Sequence, residues 1–324
     1  MYDTTIRPAS QDELHDIDKR GQEKPWAEHK REAQVLAMAY DLAAAPEKAA
    51  RVRACADSLG FYRTEEGRLK LKMANFCRVR LCPICQWRRA LKIYGQARQI
   101  VDFLATQRHG GYAYIMLTLT TPNVPGDQLP KGIDDLHRGW QRLMQRKQVK
   151  AAVKGWMRAT EVTCSNKEGT FHHHIHSILA VLPSYFTGRT YIPHDQWLNL
   201  WQDAMRNQTI TQVDVRRAYG DMEKAVAEIA KYTTKPGQYI APDDLDAMTE
   251  KVLTLDAAMA GRRCVSWGGC MADAHKALEL DDAEDGDLLD IGISEEEAEE
   301  KMLIWDWAAG RKNYLKRKKI DENA

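Results

Sequence analysis

The segment from Phe171 to Leu179 places four histidines in a run that otherwise has the apolar character of a β-strand. Successive side chains of a strand point to opposite faces, so we expect His172, His174 and His176 to share one face. Imidazoles fixed on a rigid strand are common ligands of divalent metal ions. The spacing predicts a metal site, and a stretch of histidines on an exposed hairpin is the alternative interpretation.

A carboxylate upstream is placed to complete this site. The short β-branched strand that begins at Glu161 is followed by the polar residues 166–169, which predict a hairpin turn. If Ser165 faces Thr170, the antiparallel register sets Glu161 opposite His174, and such cross-strand neighbours lie roughly 5 Å apart. A slip of one residue would turn the carboxylate to the other face.

A helical segment from Asp221 to Lys235 brings a phenol and a second carboxylate together. Glu228 and Tyr232 are four residues apart and therefore neighbours on a helix surface. A tyrosine hydroxyl has a pKa near ~10, so it needs a base or a cation to act as a nucleophile. Glu228 could accept a proton from the phenol or from water, and Lys235 could bind a phosphate. By itself the pair is also typical of a solvated helix face.

A group of cysteines predicts a structural metal site. Three of them are spaced by four and two residues and a fourth lies upstream, which suits a tetrahedral Zn²⁺ site made of Cys55, Cys77, Cys82 and Cys85. Cys264 or Cys270 could replace the upstream ligand by folding back. The alternative is a loop that carries reduced cysteines without a metal.

The motifs, taken in chain order, resemble those of plasmid rolling-circle replication initiators. These proteins form a branch of the HUH endonuclease superfamily with one catalytic tyrosine and a nearby catalytic glutamate. The resemblance covers roughly residues 50 to 280 and rests on Asn75–Arg89, Leu117–Asn123, Glu161–Thr163, His174–His176, Glu228–Lys235 and Arg262–Gly269.

The resemblance implies a metal-dependent DNA endonuclease and strand transferase. His174 and His176 would bind a catalytic Mg²⁺ or Mn²⁺, with Glu161 as the third ligand. Tyr232 would attack a phosphodiester of single-stranded or extruded DNA at the double-strand origin of a plasmid, leaving a 5′-phosphotyrosine link and a free 3′-hydroxyl. Glu228 matches the glutamate that activates water, so that termination occurs by hydrolysis.

The resemblance also favours Cys55 as the fourth zinc ligand, and it implies a host helicase and polymerase as partners. Two other interpretations remain: an HUH transposase or relaxase, and a noncatalytic zinc-dependent DNA-binding regulator. Relaxases carry their tyrosine near the amino terminus, whereas Tyr232 follows the histidines. A regulator would leave the histidines, Glu161 and the tyrosine without a purpose.

Positive charge is concentrated between Arg63 and Arg108, where eleven Lys or Arg stand against three acidic residues, although the whole chain has a net charge of only +1. A basic segment beside a zinc site predicts salt-dependent contact with DNA phosphates. An ordinary solvated helix surface is the alternative. The residues that we expect to contact DNA are Arg78, Arg80, Arg88, Arg89, Lys92 and Lys235.

The predicted elements follow the order β-α-β-β-α-β plus a further helix. This order indicates an α+β protein with a ferredoxin-like or RRM-like antiparallel sheet, which is the HUH nuclease fold. The final strand is expected at residues 209–216, and a turn is expected at Trp267-Gly268-Gly269. The tryptophans of the predicted helix 194–207 are expected in the core rather than as platforms for DNA bases.

We expect three consecutive regions. Residues 1–105 would form an N-terminal helical, zinc-binding and DNA-contacting region, 106–240 the HUH endonuclease domain, and 241–324 a C-terminal helical extension. The extension holds twelve acidic residues between 279 and 300 and six basic ones between 311 and 319, and both blocks are expected to be solvated or disordered. No apolar run approaches the ~20 residues that span a bilayer, and the cysteines resemble reduced ones, so we expect a soluble, cytoplasmic protein without membrane partners.

Overall fold

The computed structural model describes residues 12–165, 169–218, 226, 236–291 and 302–317. These residues form two compact units. Unit 1 contains the described residues up to Cys85 together with 302–317, and unit 2 contains those between Gln86 and 291. The division differs from the three consecutive regions expected from the sequence, because the end of the chain supplies strands to the N-terminal unit.

The helices and strands are numbered in chain order over the described residues. The helices are α1 (Trp26–Leu42), α2 (Pro46–Arg53), α3 (Pro83–Gln107), α4 (Leu129–Gln145), α5 (Lys147–Ala152), α6 (His194–Met205), α7 (Leu245–Met259) and α8 (Cys270–Ala277). The strands are β1 (Ser58–Arg63), β2 (Leu69–Ala74), β3 (Ala113–Leu119), β4 (Val124–Pro125), β5 (Val153–Cys164), β6 (Thr170–Val181), β7 (Val213–Arg217), β8 (Val265–Gly269), β9 (Leu303–Ala308) and β10 (Asn313–Lys316).

Unit 1 is built on a four-stranded antiparallel sheet with the order β10-β9-β1-β2. Its core contains three aromatic rings in edge-to-face contact: Phe61 lies 6.1 Å from Trp26 and 5.6 Å from Trp305, between ring centroids. The basic segment that begins at Arg311 was expected to be solvated. Its described basic residues, Arg311, Lys312, Lys316 and Arg317, are exposed as expected, but residues 313–316 form β10 and pair with β9, and Tyr314 is fully buried.

Unit 2 is built on an antiparallel sheet with the order β7-β3-β6-β5-β8, and β4 pairs with β6. The strands β3, β5, β6 and β7, with α4 and α6 between them, have the predicted β-α-β-β-α-β order, so the ferredoxin-like α+β fold is confirmed. The predicted turn at Trp267-Gly268-Gly269 is wrong, since these residues end strand β8, which pairs with β5.

The two faces of the unit 2 sheet bury different helices. On one face, Leu136 and Trp140 of α4 pack in one cluster with Ile175 and Leu179 of β6. Trp197 and Trp201 of α6 are fully buried in that cluster, as predicted for core residues.

On the opposite face, Ile93 and Ala97 of α3 and Met271 of α8 pack with Ile178 of β6. The alternation along β6 puts His174 and His176 on this second face, because they are separated from Ile178 by even numbers of residues.

None of the helices within the described residues is both long and apolar enough to cross a bilayer.

Candidate metal centres

The hairpin of β5 and β6 places a carboxylate opposite the histidines. The backbone N–H of Ser165 donates to the carbonyl of Thr170 over 2.8 Å, and Glu161 pairs with His174. The predicted register is thereby confirmed. It follows from the period of two along each strand, which commits every side chain to a face once the turn is set.

Three donor atoms converge on this face and form what we call the imidazole centre: His174, His176 and Glu161. The Nε2 atoms of the two histidines are 2.9 Å apart, and the Oε2 atom of Glu161 lies 3.0 Å from that of His176 and 3.4 Å from that of His174. Glu161 and His174 are buried, with 8% and 7% of their surface exposed, whereas His176 is only half-buried. The centre is therefore accessible from the His176 side.

The spacing of these atoms fits a divalent cation. With bonds of about 2.1 Å, three ligands on one face of an octahedron are about 3.0 Å apart. The measured distances of 2.9, 3.0 and 3.4 Å agree with such a face. Two imidazoles and one carboxylate in this arrangement leave the other coordination positions to water or substrate oxygens.

Electrostatics favour an ionised carboxylate at the imidazole centre. Burial opposes ionisation of Glu161, but hydrogen bonds with His174 and His176 outweigh it and lower the pKa of that carboxyl well below its usual range. On the other side of His176, its Nδ1 atom lies 3.1 Å from the hydroxyl of Thr118 on β3. This contact fixes the ring so that Nε2 points to the centre, which is how metal-binding histidines are commonly oriented.

A further histidine shares the face, as the strand period predicts. The His172 ring stacks on that of His174 with centroids 4.9 Å apart, whereas His173 is buried on the opposite face. Burial, followed by the charge of His174, lowers the pKa of His172. His172 therefore packs against the imidazole centre and is not one of its three converging donors.

The residues predicted to act on the phosphate, Glu228, Tyr232 and Lys235, lie outside the described residues. The nearest described position before them is Val226, which is buried in the cluster that also contains Ile178 and Met157. That cluster lies on the same sheet face as the imidazole centre.

Four thiols of unit 1 form a second cluster, the thiol centre, made of Cys55, Cys77, Cys82 and Cys85. The Sγ atom of Cys85 lies 3.6 Å from that of Cys55 and 3.7 Å from that of Cys77. Tetrahedral zinc with Zn–S bonds near 2.3 Å separates its sulfurs by about 3.8 Å. The cluster therefore has the spacing of a Zn²⁺ site, and it contains Cys55 instead of the alternatives Cys264 and Cys270.

The thiol centre is closed to solvent. Its four residues are between 0% and 9% exposed. Burial and the surrounding thiols raise the pKa of the Cys82 thiol well above its ordinary value. Four buried thiols of this kind fit a bound cation, which would stabilise their ionised form.

The sequence did not single out two residues that support these centres. Thr118 lies in the Leu117–Asn123 motif, but only the pairing of β3 with β6 shows that its hydroxyl meets His176. Lys30 of α1 is fully buried in unit 1, and its Nζ donates to the carbonyls of Arg53 and Cys55 over 2.8 and 2.7 Å. A lysine on a helix gives no sign in the sequence that it will be buried.

Three of the predicted DNA contacts are part of the interior of unit 2. Arg88, Arg89 and Lys92 of α3 are buried, with 3%, 8% and 1% exposed. They donate to the acidic segment 281–290: Arg88 to the carbonyls of Leu288 and Leu289, Arg89 to that of Glu284, and Lys92 to the carboxylate of Asp281. In this structure they stabilise the fold and do not present a surface to DNA.

The acidic segment was expected to be solvated or disordered. Asp281, Asp285, Asp287 and Asp290 are exposed as expected, but the segment 281–290 is folded against α3. Leu288 is buried, and the carboxylate of Glu284 accepts the backbone N–H of Cys264 over 3.1 Å. Among the other predicted DNA contacts, Arg78 is exposed and Arg80 is half-buried, and both stay predictions. The segment folds because buried cations of α3 lie opposite its carbonyls and carboxylates.

The ferredoxin-like sheet, the hairpin with its imidazole centre and the cysteine cluster together define an α+β protein consistent with the HUH fold. Comparison with known proteins identifies the family. The family model described as "Replication protein" matches residues 68–315, which is more than half of the chain. The chain belongs to this replication protein family, and its resemblance to plasmid rolling-circle replication initiators is confirmed.

Individual relatives support the assignment. "Protein rep" of Bacillus amyloliquefaciens is 38% identical, over 93% of this chain and 96% of its own length. "Protein rep" of Streptococcus pneumoniae is 33% identical, over 94% and 96% respectively. A "Replication protein" of Staphylococcus aureus is 34% identical over 62% of this chain and 89% of its own. No solved structure gives a significant match.

Proposed function

We propose that this protein starts plasmid rolling-circle replication by nicking and rejoining origin DNA through a tyrosine. The observation that carries the proposal is the convergence of His174, His176 and Glu161, with atoms 2.9 to 3.4 Å apart on a half-open sheet face. A closed structural site would have no need of open positions. An open site with three protein ligands suits a substrate phosphate.

The imidazole centre would hold the catalytic cation, Mg²⁺ or Mn²⁺. When bound, this ion polarises the scissile phosphate and orients it, which is typically worth several kcal/mol of charge stabilisation. Within the protein, Glu161 supplies negative charge, and Thr118 keeps Nε2 of His176 directed at the centre. The rigid hairpin thus positions the phosphate for in-line attack.

Tyr232 would be the nucleophile. Its phenolic oxygen forms a bond to phosphorus while the bond from phosphorus to the 3′-oxygen breaks, and the leaving oxygen takes up a proton to become a free 3′-hydroxyl. The phenol proton passes to water, and Lys235 would bind a non-bridging phosphate oxygen. The 3′-hydroxyl then primes a host polymerase, with a host helicase opening the duplex.

Termination would use Glu228 as a general base. By accepting a proton from water, it would allow the final phosphodiester to be hydrolysed without a second tyrosine. Val226, two residues earlier, is the nearest described residue before Glu228 and is buried on the sheet face that carries the imidazole centre. The thiol centre would hold a structural Zn²⁺ and take no part in the chemistry.

The nucleophile can be tested by the covalent adduct. Tyr232→Phe should form no adduct with a labelled single-stranded origin oligonucleotide in the presence of Mn²⁺, while it still binds the oligonucleotide. Tyr191→Phe is a matched control, since Tyr191 is 51% exposed and has no assigned role. Adduct formation by Tyr232→Phe at the wild-type rate would overturn the assignment.

The role of Glu228 needs a separate assay. Glu228→Ala should still form the adduct but release it by hydrolysis at least tenfold more slowly, as expected when a general base is removed. Release is followed by the disappearance of the labelled adduct after a chase with unlabelled oligonucleotide. Release at the wild-type rate would remove Glu228 from the mechanism.

A further inference from the structure

We propose that the exposed face of α4, together with the end of α6, is a second DNA-binding surface that holds duplex DNA by its phosphates. We call it the arginine surface, and its residues are Arg138, Arg142, Arg146 and Arg206. The inference rests on the proposed function in one respect only, which is that the protein acts on DNA. It assigns a different element from the one that carries the imidazole centre.

The spacing along α4 places its basic and amide side chains on one stripe. Residues three and four apart are neighbours on a helix surface. The basic and amide side chains of this stripe line an open cleft of about 480 Å³; they are Arg138, Gln141, Arg142, Gln145 and Arg146. Guanidinium groups bind phosphate oxygens through paired hydrogen bonds, and amides add further donors, so the cleft has the chemistry of a nucleic-acid backbone site.

A close helix contact fixes part of this surface. A Cβ atom added at Gly139 of α4 would lie 2.1 Å from the sulfur of Met205 and 3.1 Å from the ring of Trp201, so glycine allows α6 to approach closely without displacing these side chains. Through it, Nε of Arg142 donates to the carbonyl of Ala204. The Arg142 side chain is thus held in place at the end of α6.

The positive charges on this surface are close enough to affect each other. Burial, and then the charges of Arg206, Arg138 and Arg146, lower the pKa of Arg142. Asp135 compensates part of this charge, since its carboxylate pairs with Arg138 and with Lys131, each over 2.6 Å, but it carries one negative charge against four arginines. Like charges gathered on one face are stabilised by an anionic partner, and DNA phosphates release counterions when they bind such a face.

The surface lies on the far side of the sheet from the imidazole centre. The buried side of α4 packs on Ile175 and Leu179 of β6, and these residues alternate with His174 and His176. Adjacent residues of a strand face opposite ways. A duplex bound to α4 would therefore not occupy the face where the nicked strand is proposed to bind.

The side chains of the surface favour duplex DNA over a single strand. Proteins that hold single strands use exposed aromatic rings on which the bases stack. The cleft is lined by arginines and glutamines, whereas the aromatic residues of α4 and α6 face inward: Trp140, Trp197 and Trp201 are at most 2% exposed. A regular duplex presents its phosphates while its bases stay stacked on each other, so it needs no aromatic platform on the protein. The arginine surface can therefore bind the phosphates of a duplex.

The test removes the positive charge of three arginines of the arginine surface and compares a duplex probe with a single-stranded probe. The variant Arg138→Gln/Arg142→Gln/Arg146→Gln is measured for affinity to a labelled 30-base-pair duplex between 50 and 200 mM salt. It is also measured for the rate of adduct formation with a single-stranded origin oligonucleotide. We expect duplex affinity to fall roughly 10- to 100-fold and the slope of its logarithm against that of salt to fall by about 2 to 3, since each lost phosphate contact removes about 0.9. The adduct rate should stay within about twofold.

The matched control removes the same number of positive charges elsewhere in unit 2. Arg189→Gln/Arg216→Gln/Lys276→Gln changes three exposed side chains outside the basic segment 63–108 and should keep the wild-type salt slope. Because Arg142 contacts Ala204, the double variant Arg138→Gln/Arg146→Gln keeps that contact and should show about two thirds of the slope change. Thermal unfolding of each variant shows that it is folded.

Two outcomes would overturn the inference. One is a triple variant whose duplex affinity and salt slope match those of the control. The other is an adduct rate that falls in parallel with duplex affinity, which would make the surface part of the site for the nicked strand. If the wild-type protein formed no adduct at all, the proposed function would fail, while the duplex measurement would still decide the role of the arginine surface.

Discussion

The two candidate metal centres differ in donors and in closure. The thiol centre gathers four sulfurs, each residue at most 9% exposed, and its sulfur spacing leaves room for a metal and nothing else. The imidazole centre gathers three donors, and His176 is only half-buried. Four ligands complete a tetrahedron, whereas three leave positions for a substrate. The first arrangement stabilises a fold and the second can take part in a reaction.

The difference follows from the elements that carry each centre. The thiols come from separate stretches, the end of α2, the loop after β2 and the start of α3, so a metal there would crosslink the chain. The imidazole centre lies on one hairpin, whose ladder already fixes its geometry without a metal. We therefore expect loss of the first metal to reduce stability and loss of the second to reduce activity.

The largest effect is expected at the thiol centre. Cys82→Ser removes one sulfur from a fully buried cluster, and structural zinc contributes on the order of 10 kcal/mol to folding, so unit 1 should unfold or lose most of its stability. Zinc content and thermal unfolding measure this. Cys164→Ser, at a half-buried cysteine of the hairpin, is the control and should keep both. Wild-type zinc content and stability in Cys82→Ser would show that the cluster is not a zinc site.

Substitution of Lys30 tests whether this buried lysine stabilises the chain around the thiol centre. Its buried ammonium donates to two carbonyls, of Arg53 and Cys55, and lies 2.5 Å from the carboxylate of Asp57. Lys30→Met leaves these groups without their donor, which should lower the free energy of unfolding by about 3 kcal/mol. Denaturant unfolding measures the change, and Lys19→Met, at an exposed position, should change it by less than about 0.5 kcal/mol. Equal changes in the free energy of unfolding of the two variants would show that Lys30 contributes no more to stability than an exposed lysine.

A histidine on the other face of the unit 2 sheet provides a contrast to the imidazole centre. His137 of α4 lies 2.8 Å from the hydroxyl of Thr160, and burial, with the charge of Arg158, lowers its pKa to about 4. In the unfolded chain the imidazole of His137 becomes protonated below about pH 6.5, whereas in the folded chain it becomes protonated only near pH 4. Stability should therefore fall as the pH drops through this window.

The variant His137→Gln should lose less stability between pH 7 and pH 4.5 than the wild type, by on the order of 2 kcal/mol, because it removes that proton uptake. Denaturant unfolding at the two pH values measures the difference. His109→Gln, at an exposed histidine, should keep the wild-type loss. An identical pH dependence in all three proteins would contradict the neutral state of His137.

The smallest effect is expected at the support of the imidazole centre. Thr118→Val removes the hydroxyl that lies 3.1 Å from Nδ1 of His176, and such supporting contacts are worth about 10- to 100-fold in metal affinity. Titration with Mn²⁺ followed by electron paramagnetic resonance measures it. Thr120→Val is the control, since that hydroxyl donates to the carbonyl of Gln212. Unchanged affinity in Thr118→Val would mean that the His176 ring needs no support from β3.

The sequence predicted what is local in this fold. The hairpin register follows from strand alternation and a short turn, so the pairing of Glu161 with His174 could be derived from the residues alone. The order of strands around α4 and α6 follows from their hydrophobic patterns. The thiol centre followed from cysteine spacing, and only its fourth member had to be chosen among three candidates.

What depends on distant pairing could not be predicted. Strand β9 pairs with β1 across more than two hundred residues, and β10 then pairs with β9; no local sequence pattern predicts this pairing. Gly268 was expected in a turn because glycine favours turns, but its missing side chain admits the ring of Trp156, 2.2 Å from where a Cβ would lie. The positive charge of Arg88, Arg89 and Lys92 suggested contact with DNA. Their partners in the structure lie near residue 285, too far along the chain for the sequence to show that these side chains are paired within the protein.

We expect the imidazole centre to bind a catalytic divalent cation independently of the thiol centre. The most direct measurement titrates Mn²⁺ into the zinc-loaded protein and into His174→Ala/His176→Ala, with zinc content and adduct formation followed in the same samples. We predict one Mn²⁺ per wild-type chain, none in the variant, unchanged zinc in both, and no adduct from the variant. A variant that still bound one Mn²⁺ and formed the adduct at the wild-type rate would contradict the claim.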